Sequence, residues 1–190
     1  MALKATRFVS LLLVALTLGL TFCHVMEIPG KLRLGGPDWL TVQHNLYVAF
    51  GVVGAAIEVL AILLTWVVVL QVRGRRPAFH WTLGAAGCVT AGLIVWFMLV
   101  APTNAALSGW TPDTLPADWT AYRDQWEIGH AVHAALFGLG FGALVVALLA
   151  EIPPDEPRRG RRWSGLRAGG RARHGAGDAV MGRTRDRGPP

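Results

Sequence analysis

Residues 128–150 read IGHAVHAALFGLGFGALVVALLA, a run without a single Asp, Glu, Lys or Arg. At a rise of about 1.5 Å per residue, an α-helix of this length spans about 35 Å, enough for a hydrocarbon core of about 30 Å. The run lacks the charged stripe that a helix on a water-soluble domain carries. Working outward, three similar runs occupy residues 8–26, 46–70 and 81–101, and Glu58 is the one charged residue among them. The chain of 190 residues is 53% hydrophobic and 16% charged. A soluble domain carries about 25% charge, so a water-soluble fold would have to hide four long apolar runs. In lipid the backbone must satisfy its own hydrogen bonds, which makes each run helical. The expected fold is therefore all-α: an integral membrane four-helix bundle over residues 1–152, followed by a basic tail over 153–190. Cys23 and Cys88 both lie inside apolar runs and read as small buried hydrophobes, not as a disulfide.

The net charge of +6 invites a nucleic-acid reading, but the placement of the cations argues for membrane orientation. Fifteen of the eighteen Lys and Arg fall in the N-terminus (Lys4, Arg7), in the loop after the second run (Arg73, Arg75, Arg76) and in the tail. Lys31, Arg33 and Arg123 are on the other side. By the positive-inside rule both termini are expected in the cytoplasm of a multi-pass cell-membrane protein. No specific nucleic-acid partner is expected, and the tail, with no hydrophobic period, is expected to be disordered. Lys4 and Arg7 resemble the basic start of a secretory leader. The first run ends in Thr21-Phe22-Cys23-His24-Val25-Met26, without a small-x-small cleavage site, and is expected to stay as a span. Trp39, Trp110, Trp119 and Trp126 are expected at the outer interface, and Trp66 and Trp81 at the inner one. The outer loops, residues 27–45 and 102–125, carry Pro29, Gly30, Gly35, Gly36, Pro37, Pro112 and Pro116 and are expected to cap the bundle. Small residues at helical spacing (Gly138 with Gly142, Gly51 with Ala55, Gly84 with Cys88) are candidates for close helix crossings.

Chemistry enters through the polar residues of the spans, because ionisable groups in hydrocarbon usually face the bundle interior. His24 and Glu27 are three apart at the outer end of the first span. Trp126, His130 and His133 share a face of the fourth, where Glu127 and His130 form a Glu-x-x-His pair of the kind used by di-metal carboxylate bundles. Counted inward, His24 and His130 lie about 5 Å deep and His133 about 10 Å. Asn104, Gln43, His44 and Asn45 could form the rim. His24, Glu27 and His130 are the candidate metal ligands, suited to zinc, iron, copper or manganese, and two histidines on different helices could instead ligate haem. The alternative is structural: Arg123 pairs with Glu127 four residues on, and His24 bonds His130 or a loop carbonyl. Glu58 counts about 18 Å deep, a midplane carboxylate with Thr17 and Thr90 as layer-mates, expected to be protonated or hydrogen-bonded to a partner that the sequence does not identify.

The order of these features is also familiar. His24-Val25-Met26-Glu27-Ile28-Pro29-Gly30-Lys31-Leu32 follows the first span, and Gln43-His44-Asn45-Leu46-Tyr47 opens the second. Pro102-Thr103-Asn104-Ala105-Ala106 closes the third. Asp118-Trp119 and Arg123-Asp124-Gln125-Trp126-Glu127-Ile128-Gly129-His130-Ala131 open the fourth. Over residues 8–150 the chain resembles the bacterial branch of an uncharacterised family of small four-helix membrane proteins that includes fungal anthrone oxygenase-like proteins. The resemblance implies the topology above and, if the fungal chemistry carries over, a flat aromatic phenol drawn from the bilayer. Three functions stay open: an oxidoreductase using a metal or haem on a lipophilic substrate, a non-catalytic component binding lipid, a protein partner or further copies of itself, and a proton-coupled transporter subunit. No phosphate loop, nucleophile elbow, zinc-finger spacing or dinucleotide fingerprint appears.

Overall fold

The apolar runs form helices, and the helices outrun them. The computed structural model describes residues 2–153, so the tail lies outside the described residues. Helix α1 (Ala2–Lys31) continues past the last apolar residue and through Pro29, whose missing N–H costs one bond that a long packed helix tolerates. Helix α2 (Gly36–Leu46) is a separate short element. It starts where Pro37 sits in the first turn, with Asp38 there to complement the helix dipole. A π-turn (Phe50–Gly54) then leads into α3 (Ala55–Val72). Helix α4 (Ala78–Val95) passes through a second π-turn (Trp96–Val100) into α5 (Ala101–Leu107). Helix α6 (Trp119–Leu149) starts well before the apolar run at 128. Four continuous helical stretches are long and apolar enough to cross a membrane: Ala2–Lys31, Phe50–Val72, Ala78–Leu107 and Trp119–Leu149. The described residues contain no strand, and the arrangement is that of a multi-pass membrane protein.

The long helices form a closed ring in which α1 packs on α3 and α6, and α4 packs on α3 and α6. One core cluster joins Val14, Ala61, Ile62, Ala85, Val89, Phe137 and Leu144 near the end that carries the termini. A second, at the opposite end, gathers Trp39 and Leu40 of α2 with Val100, Leu107 and Trp126. Trp39 and Trp126 are thus core residues rather than members of an interfacial belt, because α2 folds back over the helix ends and buries them. Trp66 and Trp81 do face outward. So do many large aliphatic side chains, among them Leu12, Leu60, Leu63, Leu70 and Leu139, as a lipid-facing surface requires.

Polar groups inside the ring are satisfied locally or in pairs. Ser10 and Thr65 share a buried hydrogen bond of 2.9 Å between α1 and α3. Thr17, Thr65, Thr82, Thr90 and Thr103 each donate to the carbonyl four residues back. At the end that carries the termini, Arg7 donates two hydrogen bonds of 2.6 and 2.9 Å to Glu151, and Arg75 lies 3.8 Å away. The Arg7 hydrogen bonds hold the Glu151 carboxyl below the usual carboxylate range. This clasp ties the first helix, the 73–77 loop and the end of the last helix together.

The close crossings use glycines other than those the spacing singles out. A Cβ on Gly140 would lie 2.9 Å from Val89 Cγ1 and 3.3 Å from the Ala85 carbonyl oxygen. One on Gly129 would lie 2.8 Å from Val100, and one on Gly92 would lie 2.9 Å from His133 and Phe137. All three sit at the contact of the third and fourth spans. Gly51, Gly84 and Gly142 meet nothing within 4 Å, and Gly138 meets only Leu18 at 3.9 Å. Spacing marks small faces without saying which face meets a neighbour. Gly140→Ala is therefore expected to destabilise the bundle by about 1–3 kcal/mol through overpacking, and Gly142→Ala to be neutral within about 0.5 kcal/mol. Denaturant titration in detergent micelles compares them, and equal effects would refute this assignment of the crossing.

Candidate functional site

Helix α1 stays helical to Lys31, and this carries a lysine into the interior. Lys31 is 4% exposed. Its Nζ lies 3.3 Å from Glu27 Oε2 and 3.3 Å from Glu127 Oε1, with Glu127 Oε2 accepting a hydrogen bond at 3.4 Å. The ammonium also stands 4.3 Å from the centre of the Trp126 ring and 4.9 Å from that of Tyr47. Two carboxylates and two aromatic faces thus replace its water. Glu27 Oε2 is a hub, accepting a 2.6 Å hydrogen bond from the Tyr47 hydroxyl, with His24 Nδ1 3.5 Å away. Cys23 donates a longer contact of 3.6 Å to the other Glu27 oxygen.

Next to this cluster is an aromatic box. His24 stacks edge to face on His130 (centroids 4.4 Å), Tyr47 (4.7 Å) and Trp126 (5.0 Å). Trp126 lies 3.8 Å from His130 and donates its indole N–H to Asn104 Oδ1 at 2.9 Å. His130 Nδ1 is 3.0 Å from the Trp126 carbonyl oxygen. A carbonyl only accepts, so Nδ1 carries the proton and, in the neutral ring, Nε2 carries the lone pair. Among the described residues no group bonds that Nε2, and it is not among the sealed polar atoms.

Beside it is a cavity of about 420 Å³ bounded by all six α-helices and both π-turns. His24, Gln43, His44, Asn104, Trp126, His130, His133 and Glu58 reach it, among walls formed by Leu20, Phe50, Leu93, Trp96 and Phe97. Three of the lining residues, His24, Gln43 and His133, also carry a buried nitrogen without a hydrogen-bond partner among the described residues (His24 Nδ1, Gln43 Nε2, His133 Nδ1). Apolar walls with a few convergent polar groups characterise small-molecule sites.

The candidate residues His24, Glu27, Trp126, Glu127 and His130 do come together, with Asn104 at their edge. Glu27 and Glu127 stand behind the cavity wall, on Lys31, rather than in the cavity. Glu58 is not isolated: its Oε1 lies 3.0 Å from His133 Nε2. Counting from Leu46 places it too deep, because the second span begins at Phe50. From there Glu58 lies about 12 Å in, close to the His133 level. Thr17 lines the same cavity but bonds the Leu13 carbonyl, while Thr90 bonds that of Ala86 and accepts from Trp66. Arg123 pairs with Asp124 and lies over Trp119, leaving Glu127 to Lys31. His44, at the rim and exposed, donates to the Leu107 carbonyl at 3.0 Å and pins α2 to α5. Asn45 bonds Thr41 and is exposed, outside the rim.

Among the described residues no three His, Cys, Asp or Glu side chains converge as a metal ion requires. His24 and His130 touch each other, so they do not stand apart as two axial ligands on opposite faces of a haem would. The missed residue is Lys31. Its signal is the i, i+4 spacing from Glu27, masked by Pro29-Gly30, which reads as the start of a loop. Searches against protein families, curated proteins and solved structures find no match to this chain. Lys31→Ala leaves two carboxylates facing each other, and a loss of about 3–5 kcal/mol is expected. Lys31→Ala combined with Glu127→Gln should recover part of it. Unfolding in detergent measures both, and a wild-type-like Lys31→Ala would refute the buried-cation reading.

Proposed function

We propose that this protein binds a flat, lipophilic hydroxy-aromatic molecule in its cavity and holds it through the hydroxyl hydrogen. The observation behind this reading is His130, which lines an apolar, aromatic-walled cavity and whose Nδ1–H is committed to the Trp126 carbonyl, so that Nε2 is the nitrogen left to accept. A phenolic O–H donates to that nitrogen. Asn104, Gln43 and His24 lie around it, where they can pair the ring's other polar substituents. The resemblance to anthrone oxygenase-like proteins favours the same substrate class.

2-Naphthol is a suitable probe because it is flat and fluorescent and partitions into lipid, and naphthalene is its control without a hydroxyl. Wild-type protein in nanodiscs should bind naphthol more tightly than naphthalene. His130→Leu should weaken naphthol by about ten-fold, the worth of one hydrogen bond, and leave naphthalene unchanged. Equal binding of the two probes, or naphthol affinity unmoved by His130→Leu, would refute the reading.

The charge asymmetry supports placing both termini in the cytoplasm, with the α2 cap and the cavity in the outer half. With Cys23 and Cys88 replaced by Ala, an impermeant maleimide should label Gly35→Cys in intact cells and Arg73→Cys only after permeabilisation. The reverse pattern would invert the topology.

A further inference from the structure

Several residues that line the cavity are also among the most exposed in the molecule. Val59 is 46% exposed and Phe97 61%, and both lie inside stretches that cross the membrane. Val48 and Gly51 combine exposure and lining in the same way. These four lie at or just before the start of the second span and at the end of the third, while the exposed lining residues His44, Asn104 and Ser108 form a separate polar edge beside α2 and α5. Helices α3 and α4 pack together over their other halves, yet the two π-turns that extend them toward the cap make no comparable packing with each other. Each π-turn sits beside the gap: Phe50, Gly51 and Gly54 on one side, Trp96 and Phe97 on the other. A π-turn inserts a residue into the helical ladder and re-aims the side chains after it, and such turns frequently mark functional positions. Here the paired turns splay the two spans. Gly51 keeps the rim clear, since a Cβ there would meet nothing within 4 Å.

We infer that the cavity opens sideways into the bilayer between the second and third spans, through a portal framed by the two π-turns. Its ligand is a flat apolar molecule already dissolved in lipid, which enters ring-first past Gly51 and Phe97 and brings its polar group to His130. The portal rests on the cavity reading above but is separable from it. Rim residues set the rate of passage, and His130 sets the equilibrium.

The test is stopped-flow fluorescence of 2-naphthol with full-length protein in nanodiscs. Gly51→Phe and, independently, Val59→Trp place rings at the rim without displacing packed neighbours, and Gly19→Phe puts the same bulk on an exposed part of α1 away from the cavity. Both rim variants should lower the association rate by about ten-fold, with the preference for naphthol over naphthalene, set by His130, kept as in wild type. Gly19→Phe should keep wild-type rates. The portal is overturned if both rim variants keep wild-type rates, or if Gly19→Phe slows binding equally. If naphthol binds with its His130 dependence intact and those outcomes appear, the portal alone fails. Absence of wild-type naphthol binding would overturn the portal and the cavity reading together.

Discussion

One buried cation organises the half of the molecule that carries the cavity. Lys31 cannot leave water without compensation, and its partners come from three elements: Glu27 on its own helix, Glu127 with Trp126 on α6, and Tyr47 at the end of α2. Once these groups close around it, the end of α1 is fixed against α6, His24 against His130, and the cap against both. The packing in the other half is of a different kind. There, the close contact of Gly140 with the third span, one Ser–Thr bond and the Glu151 clasp do the holding. The cavity lies beside the ionic assembly, with the tightly packed core beyond it.

Placing charge behind the cavity rather than in it gives the site its character. The carboxylates that a sequence reader would offer to a metal are already engaged by the ammonium. The histidines that face the open space are held by a carbonyl, a carboxylate or aromatic edges. The arrangement favours neutral polar recognition of an apolar body over strong ion binding. Preorganisation of His130 by its own helix backbone means that no side-chain freedom is lost when a hydroxyl docks.

Much of this could be read from the chain itself. Four spans and the gathering of His24, Glu27, Trp126, Glu127 and His130 follow from apolar run length and i, i+3 or i+4 spacing, because helices obey both without tertiary help. Three things do not. Lys31 sits after a Pro-Gly pair that signals a loop in water but not in a long packed helix. Glu58 meets His133 because α2 is a separate helix, which moves the start of the second span by four residues. The crossing glycines Gly92, Gly129 and Gly140 look no different from Gly138 and Gly142 until a neighbour is present. In each case the missing information is tertiary: where an element ends, or which face another element covers.

The division between the two helix pairs has a consequence for descent with change. Where the third span meets the fourth, backbones approach so closely that almost any added atom collides. The second span, by contrast, presents Gly51 to open space and Gly54 to a single leucine methyl at 3.5 Å. Mutation can therefore redraw the chamber's volume and outline from one wall, while the opposite wall keeps its register and the imidazoles keep their aim. A lineage built on this plan could exchange one guest molecule for another by single steps, each leaving a folded protein behind it.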